Sequence, residues 1–129
     1  MELKLVECSK EHWKDIWEIR NFDKSGFVDQ KDIPIEDHIK YMQKNNSNYR
    51  ICLLNNKFAG FVGVVNNDLR VAVSPDFRKK GIGKFMINEF CKSFEIKEVK
   101  VKINNEASQK LFESCGFQKQ FYIFSKNET

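Results

Sequence analysis

Two pairs of asparagines do the most to constrain what this chain can fold into. Asn55-Asn56 separates the apolar run Tyr49–Leu54 from residues 58–65, and Asn66-Asn67 separates that second run from residues 69–73. Asparagine bonds readily to nearby backbone in tight turns, so each pair is a turn signal. Three successive apolar runs joined by two tight turns make an antiparallel meander. The middle run is the longest apolar stretch of the chain, counting its glycines. It falls far short of the ~20 residues that a membrane-spanning helix needs.

The flanks are patterned differently. Residues 2–5 alternate polar and apolar side chains and, with Val6, can open a sheet. Ser9 can cap a helix that carries Glu11 in its first turn, where the helix dipole favours an acid. Trp13, Ile16, Trp17 and Arg20 follow at i, i+3, i+4 and i+7, one face of a helix over about residues 10–20. Residues 21–34 are polar and irregular. A second helix is predicted from Ile35, with His38, Ile39 and Met42 on its apolar face. Pro75 ends the meander, and Ile82, Phe85, Met86 and Phe90 recur with helical spacing. Residues 97–103 alternate Val99, Val101 and Ile103 with Lys100 and Lys102, which predicts a strand. A short helix spans Glu106–Ser114, stopped by Gly116, and residues 117–125 form a last strand. The order β-α-α-β-β-β-α-β-α-β predicts a mixed α/β fold, with helices on both faces of a sheet of about six strands.

At 129 residues, one domain covering 1–129 is expected. Twelve Phe and two Trp supply bulky core material, which argues against disorder. No apolar signal-peptide core follows Met1-Glu2-Leu3-Lys4, so a soluble, cytoplasmic protein is expected, without a membrane partner. The formal net charge is +4, and only four of the 22 basic residues are arginine. Eighteen acids are mixed among them, which reads as a solvated surface that admits anionic ligands without calling for nucleic acid. Cys8, Cys52, Cys91 and Cys115 stand far apart with no clustered histidine. Buried thiols are therefore expected, and neither a disulfide framework nor a metal site.

The chemistry concentrates in Val71-Ala72-Val73-Ser74-Pro75-Asp76-Phe77-Arg78-Lys79-Lys80-Gly81-Ile82-Gly83-Lys84. A strand ends at a proline, a basic loop follows, and two glycines open an amphipathic helix. Glycine lets backbone approach a ligand closely, and the first-turn N–H groups of a helix carry partial positive charge. This combination suits a pyrophosphate. A dinucleotide fingerprint would need glycine where Met86 stands, and a P-loop would need Ser or Thr where Phe85 stands. The segment instead resembles the V-x-V-x-P and [RQ]-x-x-G-x-G acetyl-CoA loop of the GNAT N-acetyltransferases. Residues 105–117, from Asn105 through Leu111-Phe112 to Gly116-Phe117, are similar to the pattern N-x-x-[AS]-x-x-L-[YF]-x-x-x-G-F of the same family.

The resemblance implies a transfer of an acetyl group from acetyl-CoA to a primary amine by direct attack. It implies that strands 69–74 and 97–103 splay apart around the pantetheine arm, with backbone of Val71, Ala72 and Val73 pairing to it. Arg78, Lys79, Lys80, Gly81, Ile82, Gly83 and Lys84 would hold the pyrophosphate, and Asn105, Ser108 and Phe112 would line the thiol end. The Val71 N–H would serve as oxyanion donor. Many relatives have a tyrosine acid where Phe112 stands, and some have a glutamate base where Lys100 stands. The candidate acid here is therefore Tyr122, with Ser114 as a substitute, and the candidate base is His38. Arg20-Asn21 followed by Glu36-Asp37-His38 is similar to amino-sugar-nucleotide acetyltransferases, which makes Arg20, Asn21 and His38 candidate acceptor residues. The alternatives are acetylation of a protein N-terminus or another small amine, or non-catalytic acyl-CoA binding. A monomer or a homodimer fits the length.

Overall fold

The computed structural model describes residues 2–22 and 32–126. The irregular stretch expected over 21–34 thus lies, for residues 23–31, outside the described residues. Strand β1 (Leu3–Glu7) pairs antiparallel with β2 (Tyr49–Leu54). Strands β3 (Lys57–Val65) and β4 (Asp68–Val73) complete the sheet in the order β1-β2-β3-β4, all antiparallel. Asn55, Asn56, Asn66 and Asn67 have φ of 50°, 67°, 54° and 61°. Left-handed backbone at both central residues marks a hairpin turn whose twist matches its strands. The meander is therefore present as the asparagine pairs predict.

Four helices flank this sheet. A short 3-10 turn at Lys10–His12 leads into α1 (Trp13–Phe22), and Pro34, extended at φ −62° and ψ 145°, precedes α2 (Ile35–Asn45). Glu36 and Asp37 occupy the first turn of α2, where the dipole favours them. Ile16 and Ile19 of α1 and Met42 of α2 join Cys8, Tyr49, Ile51 and Phe61 in one buried cluster. Helices α3 (Ile82–Ser93) and α4 (Glu106–Ser114) cover the opposite face. There Ile82, Met86, Ile87, Phe90 and Phe112 pack with Cys52, Leu54, Ala59, Val62 and Leu69. The α/β class with helices on both faces is thus observed. Each fully buried aliphatic or aromatic side chain in these clusters contributes roughly 1.5–3 kcal/mol of transfer free energy.

A bulge sets the phase of the central strand. Cys52 pairs with Gly60 but Leu53 pairs with Phe58, leaving Ala59 as the extra residue. The extra residue reverses the in–out alternation, so Phe58 and Phe61 face the α1/α2 side while Ala59, Val62 and Val64 face the α3/α4 side. An unbroken apolar run carries no signal of such a shift. Polar clasps close the α1/α2 side. The Trp13 Nε1–H donates to Asn46 Oδ1 at 2.8 Å, and Asn46 Nδ2 donates to the Cys8 carbonyl at 2.9 Å.

The strand count needs correction. Among the described residues the sheet has four strands, not about six, and no parallel pair. Val99 and Val101 do pack on the α3/α4 core, yet their segment joins no ladder. Its alternation reflects burial on one side only, and Ile103 already lies exposed. Residues 117–126 likewise join no ladder, and Phe121, Tyr122, Ile123 and Phe124 are exposed. Aromatic and β-branched content gives a propensity for pairing, but a partner edge decides whether it occurs. Helix α4 ends as predicted, with Gly116 left-handed at φ 96° and its N–H bonded to the Glu113 carbonyl at 3.1 Å. All four cysteines are free; Cys8 and Cys52 are buried, but Cys91 is exposed and Cys115 half-buried, contrary to expectation.

One contact ties the strands together laterally. Tyr49 pairs with Gly63 across β2 and β3, and a Cβ at position 63 would lie 2.4 Å from Tyr49 Cδ1. The phenol ring occupies the space of a missing side chain. Replacing Gly63 by alanine must displace a fully buried ring. We expect Gly63→Ala to lower the unfolding free energy by about 1–3 kcal/mol, the usual cost of overpacking. Urea denaturation would register this as a lower midpoint at unchanged slope; an unaltered midpoint would contradict the packing described.

Candidate functional site

The backbone phase of β4 is set at its end. The Ser74 N–H donates to the Ala59 carbonyl at 2.7 Å, one step beyond the Val73–Gly60 pairing. Antiparallel ladders alternate bonded and unbonded pairs. Ala72 and Arg70 therefore bond back to β3, while Val71 and Val73 turn their backbone groups toward the outer edge of β4. No described strand pairs with that edge. Arg78 Nε donates to the Val73 carbonyl at 3.1 Å, bracing the loop against the strand end.

The loop then turns twice through left-handed backbone, at Lys79 (φ 64°) and Gly81 (φ 75°). Gly81 is the N-cap of α3, and no side chain caps that helix. The first-turn N–H groups of Ile82, Gly83 and Lys84 thus lack a side-chain acceptor, which leaves an anion site at the positive end of the helix dipole. Lys79, Lys80 and Lys84 are exposed around it. Among the described residues they make no ion pair. The two glycines have different tasks. A Cβ on Gly81 would meet nothing within 4 Å, so that glycine answers to its positive φ. A Cβ on Gly83 would lie 3.2 Å from Leu111 Cδ2, so that glycine lets α3 pack closely on α4.

The residues expected at the thiol end are engaged locally. Asn105 caps α4, its Oδ1 accepting from the Ser108 N–H at 3.1 Å. Phe112 is 7% exposed and meets Phe117 edge-on, with ring centroids 5.5 Å apart. The Ser114 hydroxyl donates to the Leu111 carbonyl at 2.6 Å, which occupies its proton. Tyr122 is 79% exposed and lacks the enclosure that a positioned acid requires.

On the α1/α2 face the expected acceptor residues separate. Asn21 clamps the backbone of Ile33, its Oδ1 accepting from the N–H at 2.9 Å and its Nδ2 donating to the carbonyl at 3.2 Å. Trp17 Nε1 donates to the same carbonyl at 2.7 Å. Asn21 therefore holds the approach to α2. Arg20 and His38 are brought together, with Arg20 Nη1 at 3.4 Å from His38 Nδ1. His38 Nε2 lies 2.8 Å from the Trp13 carbonyl. The tautomer that satisfies both contacts carries its proton on Nε2 and accepts from Arg20 at Nδ1. Burial holds the imidazole below its ordinary pKa, against the pull of the Trp13 carbonyl, and the Arg20 charge lowers it further. The ring is thus fully buried, with its lone pair turned to Arg20.

Arg20 also lies over the Tyr41 ring, 5.0 Å from its centroid. The Tyr41 and Tyr49 hydroxyls meet at 2.6 Å. Arg70 stands next in the row Tyr49–Gly63–Arg70 across three strands. Composition and motif did not point to Tyr41, Tyr49 or Arg70. A lone arginine among the apolar residues of 69–73 was the one available signal.

The acetyltransferase (GNAT) family model matches residues 13–117. The chain belongs to that family. Its fold is shared with a spermidine N-acetyltransferase from Vibrio cholerae solved with CoA and spermine (TM-score 0.74, 15% identity, covering 94% of this chain and 83% of that one). An aminoglycoside N-acetyltransferase in complex with CoA (TM-score 0.72, 17% identity, 98% and 95% covered) is similar to the same extent. So is a ribosomal-protein-alanine N-acetyltransferase from Brucella melitensis (TM-score 0.72, 16% identity, 89% and 84% covered). At these identities the likeness is one of fold. No curated protein sequence matches this GNAT chain.

Two outcomes follow for this GNAT domain. His38 has a folded-state pKa below its ordinary 6.5, so on acidification the unfolded chain takes up the proton first. Its contribution is complete above about pH 6.5 and is lost as pH falls through the folded value. The unfolding free energy should decline over that interval, and less so in His38→Gln. In the loop, Gly81→Asn, which tolerates left-handed backbone, should cost less stability than Gly81→Val, by about 1 kcal/mol. Equal midpoints for the two variants would contradict the loop geometry.

Proposed function

We propose that this GNAT protein is an acetyl-CoA-dependent N-acetyltransferase acting on a primary amine, with an amino sugar nucleotide as the acceptor to be tested first. The observation that carries the cofactor assignment is the uncapped start of α3, ringed by Lys79, Lys80 and Lys84, beside the outward backbone of Val71 and Val73. These residues fit a pyrophosphate and an extended amide arm, and a Cβ at Gly81 would meet no described atom outside its own chain neighbours within 4 Å. Bound acetyl-CoA supplies the acetyl thioester. The Val71 N–H polarises a carbonyl placed at the β4 edge, and Arg78 keeps the loop against that edge.

Among the described residues, acid–base assistance from side chains is sparse. Phe112 is buried and has no proton to give, Lys100 is exposed, and Ser114 and His38 are committed to other partners. Positioning and the backbone donor then carry the rate; orientation alone can supply several kcal/mol. The same scarcity favours a second reading, a GNAT homologue that binds acyl-CoA without turning it over.

Release of CoA thiol, followed with a thiol reagent over an amine panel, distinguishes the two. Turnover with any amine supports the transferase. Silence across the panel with acetyl-CoA bound supports the binder. For the loop, Lys79→Ala combined with Lys80→Ala should raise the KM for acetyl-CoA about tenfold, equivalent to ~1.4 kcal/mol. It should also flatten the salt dependence of that KM. An unchanged KM would remove the loop lysines from the site.

A further inference from the structure

The α1/α2 face of β4 holds a polar feature that cofactor binding does not use. Arg70 is half-buried, and its Nε is a buried donor with no hydrogen-bond partner among the described residues. Buried polar groups are nearly always satisfied, so an orphan donor calls for an acceptor. The Asp68 carboxylate reaches only the other end of the guanidinium, with Nη2 to Oδ2 at 3.5 Å. Tyr49 and Tyr41 approach the same region with joined hydroxyls at 2.6 Å, and Arg20 packs on Tyr41 from the helix side. Burial pushes the Tyr49 hydroxyl above its ordinary pKa, with Tyr41 adding to the rise, so it stays a protonated donor; the charges of Arg20 and Arg70 act on it in the opposite sense.

These groups lie beside the reacting edge. Arg70 immediately precedes Val71, whose backbone turns outward where the thioester is proposed to sit, and Arg70 bonds back to β3. Tyr49 is locked over Gly63, and His38 holds Arg20 from behind. The Arg70 guanidinium and the Tyr41 phenol are half-buried, with the fully buried Tyr49 phenol behind them; guanidinium forks and phenol hydroxyls are donors matched to carboxylate or phosphate oxygens. They are ill-suited to a polycation such as the spermine bound by the Vibrio cholerae enzyme.

We infer that the acceptor carries an anionic group, a carboxylate or a phosphate, which Arg70 binds with the Tyr41–Tyr49 hydroxyl pair beside it. This rests on the transferase reading for the word acceptor, while the anion site itself does not depend on turnover.

The experiment compares matched ligands: glucosamine with glucosamine 6-phosphate and UDP-glucosamine, alanine amide with alanine, and spermidine as the cationic case. Each is assayed for acetyl-CoA turnover and, separately, titrated calorimetrically into the CoA-loaded protein. The inference predicts at least a tenfold preference for the anionic member in one series, with the phosphate and carboxylate series telling the two sources apart. Arg70→Gln should abolish that preference through a higher KM for the anionic member. Arg70→Lys should restore part of it, and CoA affinity should stay normal as evidence of an intact fold. If nothing is turned over, the transferase reading fails. The calorimetry still decides the site: Arg70-dependent binding of an anionic member upholds it. Equal or better binding of neutral amines or spermidine, or a preference that survives Arg70→Gln, overturns it.

Discussion

The ring of Tyr49 lies across the middle strand because position 63 has no side chain, and much of the α1/α2 face depends on that accommodation. With the ring seated over Gly63, its hydroxyl meets Tyr41 of α2, and Tyr41 in turn supports Arg20 of α1. His38 completes the set by accepting from Arg20 and donating to the Trp13 carbonyl. Strands β2 and β3 are thus tied through this ring to α2, and through Tyr41 to α1. Any side chain at position 63 would push against a buried group that cannot move into solvent. The hydrogen-bonded groups on this face are correspondingly fixed.

Strand β4 joins two environments. One edge is zipped to β3, and the other presents the backbone of Val71 and Val73; its side chains alternate between two cores. The loop that follows returns through Arg78 to the strand end and delivers an uncapped helix start beside the open edge. An uncapped, lysine-ringed helix start and an extended backbone surface therefore lie next to each other by chain continuity alone. Within the loop the glycines divide their work. Gly81 relieves a left-handed turn, and Gly83 permits contact with Leu111. The motif is as much a helix-packing device as a ligand cradle.

Much of this was legible in the residues. Asn55-Asn56 and Asn66-Asn67 announced the hairpins because turn chemistry is local. The helix faces of α1 and α3 followed from spacing, as did His38 and Met42 of α2, but Ile39, which the same spacing placed with them, lies exposed; the loop from Arg78 to Lys84 was recognisable from its glycines and charge. Other features were hidden. The bulge at Ala59 lies inside a uniformly apolar run, where alternation cannot be phased. Residues 97–103 and 117–125 have strand-like patterns, yet pairing depends on an edge elsewhere in the chain. Asn21 looked like an acceptor residue and proves to clamp Ile33, twelve positions away, a contact that only the path of the chain could reveal. Asn105 and Phe112, assigned to the cofactor by family pattern, also serve as a helix cap and in core packing.

The sequence by itself determined the local conformations: turns, helix faces, the break at Pro75, and a glycine-marked helix start with positive charge around it. These need only the chemistry of neighbouring residues. Tertiary structure alone decided which polar groups meet. Arg70 shares a cross-strand row with Tyr49 only because Gly63 lies between them in register, and His38 faces Arg20 only because α1 and α2 pack on one side of the sheet. Side chains eighteen or more residues apart interact according to strand register and helix packing, which are properties of the whole assembly, so this polar cluster became visible only once the chain was folded.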